Sequence, residues 1–273
     1  MQSPRVKLMQ PRSQTVASLM KMCHFRRVHL RQRNSLVLCI QGLIRSELGF
    51  QPIGPNDETA TEKKAREKVN KEAKIRGDRI YSSLNGKKLA KPLTDIDQSI
   101  YEYMLINCKG ILDGTDIMNS DLKSKDKAIE KKTKELPECE WWTSHKGLSA
   151  KGLGLLTGDA GDIARFDKES QLWKRMGMAV IDGKRQRRVA GNAAKAIEHG
   201  YNSDNRATMF TIVSSLNMER NKECYADHPW FNLARDYKER KLAEGDRPCV
   251  AEARANRRMG KRILRDLFIR VNG

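Results

Sequence analysis

The chain has 273 residues, 38% of them hydrophobic and 32% charged, with a formal net charge of +19 at pH 7. That length holds one or two domains of about 100–200 residues, and no run reaches the ~18 apolar residues that a membrane-spanning helix needs. The N-terminus has bases but no apolar block ending in a small-residue cleavage site, which favours a cytoplasmic location over secretion. Six scattered cysteines without a Cys-x-x-Cys pair, beside five histidines, read as reduced thiols rather than as a zinc site.

In chain order, Leu19, Met22 (or Cys23), Arg26, Leu30, Leu36, Ile40, Leu43 and Ile44 recur at roughly helical spacing and predict one helix over 15–48. Gly49 is its stop, and the turn-rich segment 51–56 follows. A second helix is expected over 57–83, with Glu62→Arg66 and Glu67→Lys71 ordered for i,i+4 pairing on a solvated face. After breaks at Asn85-Gly86 and Pro92, residues 94–136 read as mostly helical with interruptions near Gly110 and Gly114. Ile111, Met118, Leu122, Ile129 and Leu136 form a short heptad-like stripe, so this region is read as a coiled-coil-like arm and a homo-oligomer is expected.

At Trp141-Trp142 glycines become frequent and the bases change from Lys-rich to Arg-rich, which places a domain boundary near 138. The reading is therefore a helical arm over 1–137 and a small helical domain over 138–273. The latter holds short helices, a basic loop at 182–188 and closing helices near 228–243 and 250–271. Residues 208–213 fit a buried helix as well as a strand. The fold class is mainly α.

The charge is uneven. Residues 1–50 carry nine Lys/Arg against one acid, Glu47; residues 51–173 carry 22 bases and 21 acids; residues 174–273 carry 22 bases and 12 acids. A polyanion suits such basic ends, because each phosphate neutralised releases condensed counterions. A membrane surface would want bulky apolar anchors beside the bases. Aromatics, at 6%, are few for a platform that stacks single strands, so backbone contacts are expected to dominate.

Three segments are candidates for that contact. His145 to Leu156 resembles a helix–hairpin–helix turn, in which backbone N–H groups receive a phosphate oxygen; its candidates are Lys146, Gly147, Lys151, Gly152 and Gly154. Ser149 stands where that motif has its second glycine, and close helix packing is the alternative use of Gly152 and Gly154. Lys184, Arg185, Arg187 and Arg188 form the densest cationic cluster, and the Arg fork of donors suits phosphate. In 250–271, Met259, Ile263, Leu267 and Val271 make a buried stripe, while Arg257, Arg258 and Arg262 sit on the remaining basic surface.

The run from Gly147 to Phe166, with Gly-Asp-Ile-Ala-Arg-Phe at its end, then Leu172-Trp173 and Gly177-Met178, resembles the C-terminal domain of insertion-sequence-110 transposases. The order of Phe25-Arg-Arg27, the 40–49 segment and the closing basic helices is similar as well. The resemblance implies DNA transposition by an enzyme that works with a guiding RNA and with full-length transposase copies. It also implies that any divalent metal belongs to an acidic RuvC-like domain, for which this chain has no matching cluster. In the family's loop, where a catalytic serine precedes Gly-Lys, this chain has Ile181-Asp182 before Gly183-Lys184. No catalytic residue is carried over. The readings are a truncated transposase, a recombinase using another hydroxyl, and a non-enzymatic RNA- or DNA-binding protein that shares only the fold.

Overall fold

The computed structural model describes residues 4–54, 58–181, 183–186, 189, 191–199, 202–219 and 228–273. It is mainly α, with eleven α-helices and one two-stranded hairpin among the described residues. Two compact units emerge: residues 1–25 with 125–273, and residues 26–124. This division differs from the single boundary expected near 138, because the larger unit is built from two segments remote in sequence.

In the smaller unit, the C-terminal part of α1 (Pro4–Glu47), α2 (Ala60–Leu84), α3 (Asp95–Asn107) and the start of α4 (Lys109–Thr133) contribute to the fold. Ile40 and Ile44 of α1 meet Ile80, Met104 and Cys108 in a small core. Leu43, expected on the same stripe, is largely exposed. α1 starts well before Thr15, where the apolar periodicity begins, and ends as expected. Gly49 has φ +77°, its N–H donates to the Ser46 carbonyl, and the Phe50 N–H reaches back to Arg45. That pair of bonds satisfies the last helical carbonyls. Thr59 and Glu62 cap the start of α2 reciprocally. α3 starts at Asp95 with Thr94 as its cap, and the chain breaks at Cys108 rather than at Gly110 or Gly114, both of which lie within α4. Arg76 holds the buried Asp97 carboxylate at 2.7 Å and so ties α2 to α3.

The larger unit holds the main core. α5 (Cys139–Ser144), α6 (Ala150–Ala160), α7 (Glu169–Arg175), α8 (Ala193–His199), α9 (Ser203–Glu219), α10 (Pro229–Ala243) and α11 (Pro248–Asn272) follow in order. Residues 208–213 are helical, within α9. The stripe on α11 is buried as expected at Met259, Ile263 and Leu267, with Leu264 beside them, while Val271 is only partly buried; Leu153, Leu156, Met209 and Leu216 lie in the same core. Ile129 and Leu136 of the heptad-like stripe also lie in this core, so that part of the seam is occupied by the chain itself.

α6 approaches its neighbours closely. A Cβ at Gly154 would fall 2.7 Å from the Ile129 Cγ2 of α4, and one at Gly158 would fall 2.8 Å from the Cys23 Cβ of α1. Both glycines are therefore needed for helix contact. Arg12, buried at 9% exposure, donates to Glu138 at 2.7 Å and also pairs with Asp162, fixing the start of α1 against the segments flanking α5 and α6. Such a buried pair is costly to break, because the partner charge is left unmatched. Arg12→Met should lower stability by roughly 3–5 kcal/mol, measured as a shift of the urea midpoint.

Candidate nucleic-acid interface

The expected glycine turn is present between α5 and α6. Gly147 has φ +86°, a conformation that side chains disfavour. The buried Trp142 donates its Nε1–H to the Ser149 carbonyl at 3.0 Å, and the Ser149 hydroxyl accepts from the Gly152 N–H at 3.1 Å as the cap of α6. Ser149 in place of a glycine therefore serves the helix start. Lys146 is exposed beside the turn. Lys151, expected at a phosphate, instead pairs with Asp126 at 3.2 Å. Gly154, also expected there, is buried beneath α4 for the packing reason given above. Gly152 has room for a side chain, with Ser149 Oγ at 3.5 Å as its nearest neighbour.

Against the turn lies a cluster of aromatic and imidazole rings. His145 stacks on Trp230 with centroids 4.6 Å apart and meets the edge of Trp141 at 4.9 Å. His228 stacks on Phe231 at 4.2 Å and caps α10 by accepting from the Trp230 N–H at 3.3 Å. Trp230 donates to Asp266 at 2.8 Å, and Arg262 pairs with that same carboxylate at 3.0 Å. Arg262 is thus neutralised by an acid one helical turn away, which makes it a weaker phosphate ligand than its sequence position indicates.

The basic segment expected as a loop at 182–188 begins as a hairpin. β1 (Val180–Ile181) pairs antiparallel with β2 (Lys184–Arg185), and Gly183 supplies the turn with φ +70°. The sequence Asp182-Gly183 is a favoured two-residue hairpin connection. Asp182, Arg187 and Arg188 lie outside the described residues, and for Lys184 only the backbone is described. Gln186, at 0% exposure, anchors the hairpin. Its Oε1 accepts from the Ala179 N–H at 3.2 Å, and its Nε2 donates to the Lys174 carbonyl at 3.1 Å and to the His199 carbonyl. The Gln186 carbonyl accepts from Arg206 of α9 at 3.1 Å.

This anchoring brings Arg185, Arg206 and Arg257 to one groove of about 480 Å³. Met178, Met209, Phe210 and Val213 contribute its apolar lining, and Glu252 lines it too, paired with Lys238 at 2.6 Å. Arg257 has no carboxylate within ion-pair distance among the described residues. Burial, and then the neighbouring Arg185, Arg206 and Arg254, push its proton affinity down from the usual guanidinium value. Further along α11, Arg258 rests on the Tyr237 ring at 5.0 Å and Lys261 lies over Trp173 at 4.9 Å. Burial and Arg257 likewise lower the Lys261 ammonium. Arg254 is paired with Asp246 at 2.5 Å.

The fold thus joins the hairpin arginine Arg185 with Arg257, two of the three arginines of the groove. It places the glycine turn elsewhere, beside the Arg262 end of α11. Arg206 and Gln186 were not singled out by sequence, and Trp173 and Tyr237 entered only within segments that carry the family resemblance. Arg206 precedes the Met209–Phe210–Val213 face of α9 by one helical turn, a faint signal without a known register. Among the described residues, no group of three or more His, Cys, Asp or Glu side chains is arranged to hold a metal ion, and no helix is long and apolar enough to cross a membrane.

His228 gives this region a pH dependence. Burial, reinforced by His145, lowers its proton affinity below the ordinary histidine value. The unfolded chain then binds the extra proton more readily, so the stabilisation is complete above about pH 6.5 and declines as pH falls through that value toward the folded pKa. Thermal unfolding should show Tm falling between about pH 7.5 and about pH 5.5, and His228→Asn, which retains a capping side chain, should flatten that slope. No family model, curated protein or solved structure matches the chain.

Proposed function

We propose that the chain is a DNA-binding protein that grips the phosphate backbone with the cationic surface of its larger unit, as a member of transposition machinery of the insertion-sequence-110 type. The observation that carries this reading is Arg257, half-buried beside Arg185 and Arg206 with no carboxylate of its own among the described residues. A guanidinium so placed gains most from an external oxyanion, and a phosphate matches its fork of donors. Arg258 and Lys261, held over aromatic rings on the same helix, extend the positive surface.

The role is binding rather than strand cleavage by this chain. Ile181-Asp182 occupies the place of the family's serine, and a carboxylate there would be repelled by phosphate. Strand chemistry then belongs to a full-length partner, and a guide RNA would be a second polyanion for the same surface.

Fluorescence polarisation with a mixed-sequence duplex tests the reading. The slope of log K against log salt is about −0.9 per phosphate contact, so Arg257→Gln with Arg258→Gln should weaken binding equally across sequences and make the slope shallower by roughly two. An unchanged slope would remove α11 from the interface.

A further inference from the structure

We infer that the groove between the hairpin, α9 and α11 receives the terminal nucleotide of a DNA strand, with a phosphate monoester on its arginines and the base on its apolar wall. This rests on the reading of the larger unit as a DNA-binding surface and adds a ligand to one part of it.

A duplex backbone offers the groove arginines its charged oxygens but no base face. The groove has more than its arginines to offer a ligand. It is a concavity of about 480 Å³ whose lining combines Met178, Met209, Phe210 and Val213 with Arg185, Arg206 and Arg257. That volume lies in the lower part of the ~300–1,000 Å³ range of small-ligand sites. It is room for one nucleotide, not for a stretch of strand. An apolar wall has no use for a phosphate, but it suits the face of a base. Phe210, also lining the groove, has 71% of its surface exposed, which leaves most of its ring open to a flat ligand. Methionine side chains adapt to a flat aromatic ring and make favourable sulfur contacts with it.

The charge argument selects a strand end. Three guanidiniums gather here, those of Arg185, Arg206 and Arg257, and burial and then the other two depress the proton affinity of Arg257. A backbone diester brings one negative charge, whereas a phosphate monoester carries about −1.5 to −2 near neutral pH and offers three acceptor oxygens. Glu252 is the acid in the wall, and its Lys238 partner limits its repulsion of an incoming phosphate. The cations beyond the groove on α11, Arg258 and Lys261, would follow the strand away from its end.

The test uses the whole chain and one short labelled single strand in three forms: a 5′-phosphate, a 3′-phosphate, and hydroxyls at both ends. Binding should be about ten-fold tighter or more for one phosphorylated form than for the hydroxyl form. Whichever end is preferred assigns the polarity of the strand in the groove. Arg257→Met should abolish that preference. Phe210→Ala should weaken all three strands by roughly five- to a hundred-fold while leaving duplex affinity unchanged. Equal binding of the three forms, or a preference that survives Arg257→Met, would overturn the inference. Duplex binding without an end preference would sink the groove assignment alone. A wild-type chain that binds neither duplex nor strand would sink the surface reading and this inference together.

Discussion

A guanidinium withdrawn from water usually has a carboxylate beside it, and half-buried Arg257 has none within ion-pair distance among the described residues. It sits among Arg185, Arg206 and Arg254, and its proton affinity is lowered by burial and by those like charges. Like-charge crowding of this kind costs free energy in the free protein, and on the reading proposed above an incoming oxyanion would relieve it. Its cost is met by the rest of α11, whose opposite face places Met259, Ile263, Leu264 and Leu267 wholly in the core.

Holding the arginines together requires several remote pieces. Gln186 fixes the hairpin through bonds to Ala179, Lys174 and His199, and its own carbonyl receives Arg206. α9 is held in turn by Asn205, which donates to the carbonyls of Asp159 and Arg175, and by Thr208, which donates to the Asp159 carboxylate at 2.6 Å. Asp159 belongs to α6, the helix that Gly154 and Gly158 allow to nest against α4 and α1. A chain of contacts thus runs from Cys23 through α6 and α9 to Arg206. The glycine-rich segment supports the groove through the packing of α6.

The helices were legible wherever one face had to be buried. The 4,4,4 stripe of α11, the Gly49 stop and the closing helix near 228–243 are direct readings of periodicity and capping. The hairpin was not, because two-residue strands carry no period; only Asp182-Gly183 between Val-Ile and Lys-Arg marked it. The unit division was equally hidden. Residues 1–25 join 125–273 through Arg12 and through Leu19 and Cys23, partners more than a hundred residues away that no linear change of composition reveals. Within the groove, Arg185 and Arg257 were named from charge density. The Lys151–Asp126 pair was not legible because Asp126 lies on another helix, and Arg206 was not named because the register of α9 was unknown. The Arg262–Asp266 pair, at i,i+4, was readable and shows that a basic helix surface should be discounted for its own acids first.

The most direct measurement is a structure of the chain in complex with DNA, read at a single atom group. The expected result is a phosphate oxygen within hydrogen-bonding distance of the Arg257 guanidinium, with Arg185 or Arg206 on the same phosphate. DNA bound across another surface, with the Arg257 groove open to solvent, would contradict the account.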